Sequence, residues 1–190
     1  GLIMNKYLIK DMSYIVAANL AASKEAVRYY LNGVYFVPDS DSDRQQHLFV
    51  ATDGHCMAII GNRSLMGAQG VIIPRELIAK IKMAKSDIKF GAGGEITIDG
   101  DNVSIAFDGN TYSGQLVDGT FPDYQRVMVD DNKDVGRITL NSDYAATLGK
   151  INQLVDKAIY PSINLRFNGE HSPMCVDGTE WQGVLMPMRK

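Results

Sequence analysis

The chain has 190 residues, 45% of them hydrophobic, and a formal net charge of −3. This length suits one or two domains, and no apolar run approaches the roughly 20 residues that a membrane-spanning helix needs. The two cysteines, Cys56 and Cys175, and the lack of a signal-peptide pattern favour a reducing cytoplasm over a disulfide framework. The negative charge argues against indiscriminate nucleic-acid binding, although one face can still be basic.

One arrangement of elements is predicted three times along the chain: a short strand, a helix of about three turns, and three strands joined by tight turns. The copies begin near Lys6, Gly70 and Gly136, a spacing of roughly 65 residues. We call them unit 1, unit 2 and unit 3. This mixture of elements indicates an α+β fold built from three repeated half-domains.

Unit 1 combines one helix pattern with three strand patterns. The segment "YLIKDMSYIVAANLAAS" has apolar residues at helical spacing, namely Ile9, Met12, Ile15, Val16 and Leu20. Strands are predicted in "RYYLNGVYFV", "HLFVAT" and "CMAIIG".

Unit 2 opens with "GVIIPRELIAKIKM", which predicts a strand followed by a helix. Pro74 suits the first helical position, because the N–H that proline lacks has no partner within the helix there. Strands are predicted in "SDIKFG", "GEITIDG" and "VSIAFDG", separated by Gly-Gly and Asp-Gly turns that are typical of hairpins.

Unit 3 opens with "GRITLNSDYAATLGKINQLV", in which Asn141 and Ser142 are candidate N-caps of a helix. Strands are predicted in "SINLRFNG", "SPMCVDG" and "WQGVLMPM". The acidic, turn-prone stretch before this unit predicts a linker. The expected organisation is a domain of two half-domains at 1–128, the linker at 129–135, and a single half-domain at 136–190.

Signals for catalysis and metal binding fail when their spacing is checked. The run Asp39–Asp43 alternates carboxylates like a calcium-binding loop, but Arg44 stands where that loop needs glycine and Val50 where it needs glutamate. The glycines of Gly91–Gly94 lie between predicted strands rather than before a helix, so they offer no helix N-terminus to a phosphate. The histidines are scattered along the sequence, at His47, His55 and His171. We predict no enzyme, no metal site and no cofactor.

Four stretches carry residues that their secondary structure alone does not require: "VRYYLNGVYF", "LFVATDGHCMAII", "LVDGTFPDYQRV" and "VLMPMR". Together and in this order they closely resemble the bacterial DNA polymerase III β subunit family, the sliding clamps. In that family "RYYLNG", "VATDGHR", "DGRFPDY" and a closing "MPMR" recur. Residues from about 6 to 128 resemble its complete middle domain, and those from about 136 to 190 resemble the second half of its last domain.

The resemblance implies a DNA-clamp fold and two activities: encircling double-stranded DNA, and tethering polymerases that dock through short linear peptides. Arg28, Tyr29 and Tyr30 match positions that contact DNA on the inner side of a clamp. The lysines on helices that line the central hole in this fold add positive charge, and those we expect to contact DNA are Lys10, Lys24, Lys80 and Lys150. The alternative interpretation places one tyrosine in the core and leaves Arg28 simply solvated.

The resemblance also implies a hydrophobic peptide pocket between the middle and last domains. The matching residues on one side are Leu31, Thr52, Gly54, His55, Met57, Pro122 and Val127, and those on the other side are Val184, Met186, Pro187, Met188 and Arg189. Methionines suit such a site because their flexible side chains adapt to different peptides. The alternative interpretation is that Met186 and Met188 fill an ordinary core.

Three residues depart from the family pattern. Cys56 stands where many clamps have arginine, Thr120 stands where "DGRFPDY" has arginine, and Lys190 ends the chain where leucine is common. We therefore expect a peptide preference that differs from that of a housekeeping clamp.

The three half-domains leave unit 3 without the half that would complete its domain, so a partner is expected. A second copy of the chain is the simplest partner, because the two halves of a clamp domain are alike. A family ring contains twelve half-domains, which corresponds to four such chains.

Two functions follow: a compact clamp that encircles DNA and gives a polymerase processivity, or a non-encircling adaptor or decoy that keeps only the peptide pocket. Retention of both the DNA-contacting stretch and the pocket favours the clamp.

Overall fold

The computed structural model describes residues 4–41, 44–128 and 136–189. Among its described residues, unit 1 contains the α-helix and strands β1 (Met4–Ile9), α1 (Ser13–Asn19), β2 (Gly33–Val37), β3 (Leu48–Thr52) and β4 (Cys56–Gly61). Unit 2 contains β5 (Val71–Pro74), α2 (Arg75–Ile78), α3 (Lys85–Phe90), β6 (Gly94–Asp99), β7 (Asn102–Phe107) and β8 (Asn110–Gln115). Among its described residues, unit 3 contains α4 (Ser142–Val155), β9 (Asn164–Arg166), β10 (Met174–Asp177) and β11 (Trp181–Leu185).

The strands form two antiparallel sheets. One sheet has four strands in the order β1-β6-β7-β8, and the other has seven in the order β5-β2-β3-β4-β11-β10-β9. Units 1 and 2 exchange their opening strands, since β1 of unit 1 pairs with β6 and β5 of unit 2 pairs with β2. This exchange joins the two units through both sheets.

Unit 3 extends the larger sheet through the pairing of β11 with β4. The register is symmetric about Gly183 and Ala58, so that Trp181 lies opposite Ile60 and Leu185 lies opposite Cys56. The last strands of units 1 and 3 therefore meet as two equivalent strands would meet about a twofold axis. In addition, α1 packs against both α2 and α4, which places the helices of the three units side by side.

A polar cluster reinforces the contact between units 1 and 3. The ammonium group of Lys157 donates to Oδ2 of Asp11 at 3.0 Å and to Oγ of Ser13 at 2.9 Å. Ser13 is fully buried, and its hydroxyl donates to the carbonyl oxygen of Leu154. Lys157 is thus a structural residue rather than a free surface cation.

Two sequence predictions in unit 2 are wrong. The segment "SDIKFG" forms α3 rather than a strand, because the Asp87 carboxylate accepts the backbone N–H of Ala84 at 2.8 Å and so caps the helix N-terminus. The third strand of the unit is instead β8, which follows the turn at Asp108 and Gly109. Pro74 is the last residue of β5 and the N-cap of α2, one position earlier than predicted.

The beginnings of two other predicted strands also differ. Tyr29–Leu31 forms a 3-10 turn, and β2 starts only at Gly33. Residues 136–140 form no strand, so unit 3 lacks the predicted opening strand. The N-cap prediction for α4 is confirmed at Asn141, whose side chain accepts the N–H of Asp143 at 2.9 Å.

The predicted linker at 129–135 lies outside the described residues, as do residues 42 and 43 of the acidic run. Among the described residues, no helix is long and apolar enough to cross a membrane. The main core lies between the helices and the two sheets, and its largest fully buried side chains include Trp181, Phe36 and Met12. A second, smaller apolar cluster lies on the other face of the larger sheet, around Val50, Met57 and Val184.

Candidate functional site

An apolar cavity of about 170 Å³ opens where units 1 and 3 meet. The residues predicted for the pocket that line this cavity are Leu31, Thr52, Gly54, His55, Met57, Pro122, Val127, Val184 and Met186. Three further residues complete the lining, namely Cys56, Asp123 and Tyr124. The predicted residues Pro187, Met188 and Arg189 do not line it. The structure thus brings most of the predicted set together around one opening.

The floor of the cavity comes from the strand pairing that joins units 1 and 3. Met57 of β4 lies directly opposite Val184 of β11, and both side chains are buried. They pack with Ile59 and Tyr124 in the smaller apolar cluster. The pairing of two distant segments therefore builds an apolar floor that neither unit has alone.

The turn between β3 and β4 forms one rim, and its side chains hold it in shape. The hydroxyl of Thr52 donates to the carbonyl oxygen of Cys56 at 2.7 Å and accepts the N–H of Gly54 at 3.0 Å. Asp53 accepts the N–H groups of both His55 and Cys56 at 2.9 Å. Gly54 adopts φ of +88°, which favours glycine. The Thr-Asp-Gly-His sequence thus specifies this tight turn.

The segment after β11 forms the opposite rim and is tied down at two places. The N–H of Met186 donates to the carbonyl oxygen of His55 at 3.0 Å, and the N–H of Met188 donates to that of Thr139 at 2.8 Å. The Met186 side chain lines the cavity, whereas Met188 is 50% exposed and points elsewhere. Met186 is half-buried and also packs against the smaller apolar cluster, whereas Met188 does not fill a core.

Aromatic rings frame the cavity. The His55 ring stacks on Tyr144 of α4, with centroids 5.5 Å apart and planes 18° apart. Tyr124 is 6% exposed, and its hydroxyl accepts the N–H of Gly67. Burial raises the pKa of Tyr124, so its hydroxyl stays protonated at neutral pH. Sequence reasoning missed Tyr124 as a lining residue, although it belongs to the "FPDY" motif that supplied Pro122.

Cys56 also lines the cavity, but its thiol is expected to be unreactive. Burial, aided by the nearby Asp53 carboxylate, raises the pKa of Cys56 to about 12. The reactive thiolate is therefore scarce at neutral pH. Among the described residues, no group of three or more His, Cys, Asp or Glu side chains could hold a metal ion.

The residues predicted to contact DNA lie at the surface, but not all of them are free. Lys10, Lys24, Lys80 and Lys150 are exposed. Arg28 donates from Nε and Nη2 to a single oxygen of Glu25, at 3.1 and 2.8 Å. This hydrogen bond raises the pKa of Arg28. The positive charge of Arg28 is therefore largely balanced by its neighbour.

The tyrosines beside Arg28 do not enter the core. Tyr29 is 53% exposed and Tyr30 is half-buried, and their rings meet edge to face with centroids 5.8 Å apart. Because this segment is a 3-10 turn, strand alternation does not bury either ring. Arg28 lies against Gly54, where an added Cβ would approach Nη1 to 2.4 Å. The candidate DNA-contacting stretch thus adjoins the rim of the cavity.

Comparisons with solved structures place the fold in one class. A sliding clamp from Bartonella birtlesii bound to griselimycin superposes with a TM-score of 0.68 and 21% identity, covering 97% of this chain and 66% of that one. A Pseudomonas aeruginosa sliding clamp with ligand gives 0.67 and 18%, covering 97% and 66%. The predicted DNA-clamp fold is confirmed, and the chain has the architecture of a bacterial sliding clamp.

Sequence comparisons then give the family. The central domain of the DNA polymerase III beta subunit matches residues 7–123. The beta sliding clamp of Caulobacter vibrioides is 33% identical over 129 residues, covering 66% of this chain, and that of Escherichia coli K12 is 31% identical over 122 residues, covering 60%. This chain belongs to the DNA polymerase III beta subunit family. It spans only 34% and 30%, respectively, of the length of these two relatives.

Proposed function

We propose that this chain is a sliding-clamp-type processivity factor of a DNA polymerase. In this role it has no catalytic activity. It holds double-stranded DNA without sequence preference and docks short linear peptides of polymerases or repair proteins in the apolar cavity. The observation that carries the proposal is the cavity itself, because two segments far apart in the sequence, both matching family motifs, converge on one apolar floor.

The chemistry of the cavity fits an extended peptide with apolar anchors. Met57 and Val184 provide the floor, and Met186 forms a flexible wall that can repack around side chains of different shape. The rim carries polar side chains, with Asp123 and His55 available to the peptide backbone or to flanking side chains. An apolar centre with a polar rim is typical of peptide-binding grooves.

Peptide binding is tested by titrating a labelled clamp-binding peptide into the protein. Met186→Ala and Met57→Ala remove anchor surface, and we expect each to weaken binding by about 1 to 3 kcal/mol, which corresponds to roughly 5- to 150-fold in Kd. Met4→Ala is the matched control, because this methionine is exposed and lies outside the cavity. Equal affinities for all four proteins would rule out the cavity as the peptide site.

DNA binding is expected to be electrostatic, because the candidate residues include four exposed lysines. Only Lys150 lies within a helix; Lys10, Lys24 and Lys80, which were expected on helices, lie in the turns and loops that flank α1 and α2. Electrostatic binding has no sequence preference and weakens steeply with salt, since each neutralised phosphate releases counterions. The net charge of −3 and the pairing of Arg28 with Glu25 predict weak binding to open DNA. Persistent binding therefore requires enclosure of the duplex.

The same observations favour the second candidate function, an adaptor or decoy that binds clamp-binding peptides without enclosing DNA. Retention on circular and linear DNA of equal length separates the two. A clamp stays on the circle and is lost from linear ends, whereas an adaptor leaves both equally. Enclosure also requires several chains, and twelve half-domains would correspond to a ring of four. We place this activity in the cytoplasm, as the cysteine usage predicts.

A further inference from the structure

The junction of units 1 and 3 has two ends, and the apolar cavity lies at only one of them. Because the register of β4 with β11 is symmetric about Ala58 and Gly183, an approximate twofold axis passes through the junction. This axis relates His55, which lines the apolar cavity, to Glu180 at the other end. The two ends therefore share one backbone frame but carry different side chains.

Backbone hydrogen bonds at the two ends confirm the equivalence. The N–H of Met186 donates to the carbonyl oxygen of His55 at 3.0 Å, and the N–H of Gly61 donates to that of Glu180 at 2.9 Å. Gly61 thus occupies, at the second end, the position that Met186 occupies at the first.

The helices that flank the junction follow the same symmetry. Asn141 before α4 and Asp11 before α1 each accept the backbone N–H of the residue two positions further on, both at 2.9 Å. Tyr144 and Tyr14 each lie three residues after these capping residues and are therefore equivalent. Tyr144 stacks on His55 at the first end, and Tyr14 lies in the field of Glu180 at the second.

A cavity of about 570 Å³ opens at this second end, and we call it the polar cavity. Gly61 contributes no side chain where Met186 narrows the apolar cavity, and Arg63 lines the polar cavity where Met188 follows at the first end. Unit 2 also contributes, through Phe90. A volume within the roughly 300 to 1,000 Å³ of typical ligand pockets is more than a single small anion needs.

The polar cavity is lined by hydrogen-bond donors that the described residues leave without partners. Nη1 of Arg63 is buried and has no hydrogen-bond partner, although Nη2 donates to the carbonyl oxygen of Thr179 at 3.3 Å. Lys10 is exposed and forms no ion pair with the described residues. Burial, together with the nearby Glu180 carboxylate, raises the pKa of Tyr14 to about 12, so its hydroxyl stays protonated and can donate. A buried donor without a partner carries a free-energy cost that a ligand oxygen would remove.

The charges of the polar cavity favour an anionic ligand. Its lining contains two carboxylates, but that of Asp11 is already neutralised by Lys157 at 3.0 Å. The other carboxylate, Glu180, faces two cations, Lys10 and Arg63. One positive charge is therefore left in excess.

We propose that the polar cavity is a second docking site, which takes an acidic peptide segment with a carboxylate next to an aromatic residue. The carboxylate binds Lys10, Arg63 and the hydroxyl of Tyr14, and the aromatic ring packs on Phe90, which is 78% exposed. Charge-assisted hydrogen bonds of this kind are among the strong ones in proteins. The choice of a peptide rests on the proposed function, because the equivalent cavity at the other end is the proposed peptide site.

The two cavities lie at opposite ends of the hairpin formed by β3 and β4. Thr52 and Cys56 line the apolar cavity, whereas Phe49 and Gly61 line the polar cavity. Five residues of an extended strand, the separation of Cys56 and Gly61, span roughly 17 Å. One chain can therefore hold two partners at once, one at each end of the junction.

Fluorescence anisotropy tests the preference for acidic segments. The probe is the labelled peptide Gly-Glu-Phe-Glu-Gly, and its neutral counterpart is Gly-Gln-Phe-Gln-Gly. We expect the acidic probe to bind about tenfold more tightly and to stay bound when a clamp-binding peptide is added. Equal affinities, no saturable binding of the acidic probe, or its displacement by the clamp-binding peptide would overturn the proposal.

Substitutions then locate the binding. Arg63→Gln should abolish the preference for the acidic probe, whereas Arg137→Gln is the matched control, because Arg137 is exposed and lines neither cavity. Lys10→Gln is a second variant that leaves thermal unfolding unchanged, since the Lys10 side chain is exposed. It should weaken binding of the acidic probe by about threefold or more. Unchanged affinity in both Arg63→Gln and Lys10→Gln would refute the assignment.

Competition with inorganic phosphate separates a peptide site from a site for small anions. We expect phosphate to compete no better than chloride at equal ionic strength. Specific displacement of the acidic probe by phosphate would assign the cavity to small anions and overturn the choice of a peptide. Binding of the clamp-binding peptide is measured separately with Met186→Ala, so a failure of the acidic probe leaves the proposed function standing.

Discussion

Unit 1 and unit 3 have the same three-strand ladder, yet they occupy different environments. Unit 1 lies in the middle of the larger sheet, with β5 on one side and β11 on the other, and most residues of its strands are buried. Unit 3 lies at the end of that sheet, and β9 has no buried residue. Phe36 and Phe167 illustrate this difference, because the phenylalanine of unit 1 is fully buried and that of unit 3 is exposed. Burial here depends on neighbouring strands as much as on the local sequence.

The largest loss of stability is expected for substitution of Phe36, and a much smaller loss for substitution of Phe167. Phe36→Ala should lower the free energy of unfolding by about 3 to 5 kcal/mol, because it removes a fully buried ring and leaves a cavity. Phe167→Ala should cost less than about 1 kcal/mol under dilute conditions. Chemical denaturation of both variants measures the difference. Equal losses would show that the edge of unit 3 is as well packed as that of unit 1.

A smaller effect is expected at Gly61, the last residue of β4. Its φ is +101°, and an added Cβ would lie 2.2 Å from the carbonyl oxygen of His47. Gly61→Ala should therefore destabilise the fold by about 1 to 3 kcal/mol. The equivalent position in unit 3 is Met186, whose backbone is free of this constraint, so Met186→Ala should leave thermal stability nearly unchanged. A shift in Tm of similar size in both variants would contradict this difference.

The smallest effect on stability is expected at His47, which connects β1 to the segment that follows β2. Its Nδ1 accepts the N–H of Asp39 and its Nε2 lies 2.9 Å from the carbonyl oxygen of Leu8, an arrangement that fits the neutral ring. Burial lowers the pKa of His47, although the Leu8 carbonyl and Asp39 oppose this. The unfolded chain therefore binds a proton more readily than the folded chain, so this contribution to stability is present above about pH 6.5 and is lost as the pH falls below it.

The test is a series of denaturation curves between pH 5 and 8. In His47→Gln, the decrease in the free energy of unfolding that His47 causes at acidic pH should disappear. The remaining pH dependence of stability should then be that of the carboxylates. His171→Gln is the matched control, because His171 is exposed in unit 3. If the free energy of unfolding of His47→Gln changes with pH as steeply as that of the wild type, the pH dependence belongs to other groups.

The sequence predicted most of the strands because apolar periodicity and Asp-Gly turns are local signals. It failed at α3, where alternating Ile88 and Phe90 resemble a strand, but Asp87 caps a helix. It also failed at residues 136–140, since an opening strand exists only when another sheet accepts it. Most predicted cavity residues line one opening, but the motif could not show that Pro187 and Met188 turn away from it. Their role in peptide binding stays a prediction.

Trp181 is the only tryptophan in the chain, and it lies fully buried at the start of β11. Its Nε1 donates to Oδ1 of Asn152 in α4 at 2.9 Å, and its backbone pairs with Ile60 of β4. Intrinsic fluorescence excited at the indole band therefore reports on the junction of units 1 and 3 alone. A red shift of the emission that precedes the loss of helical circular dichroism would reveal that this junction opens before units 1 and 2 unfold.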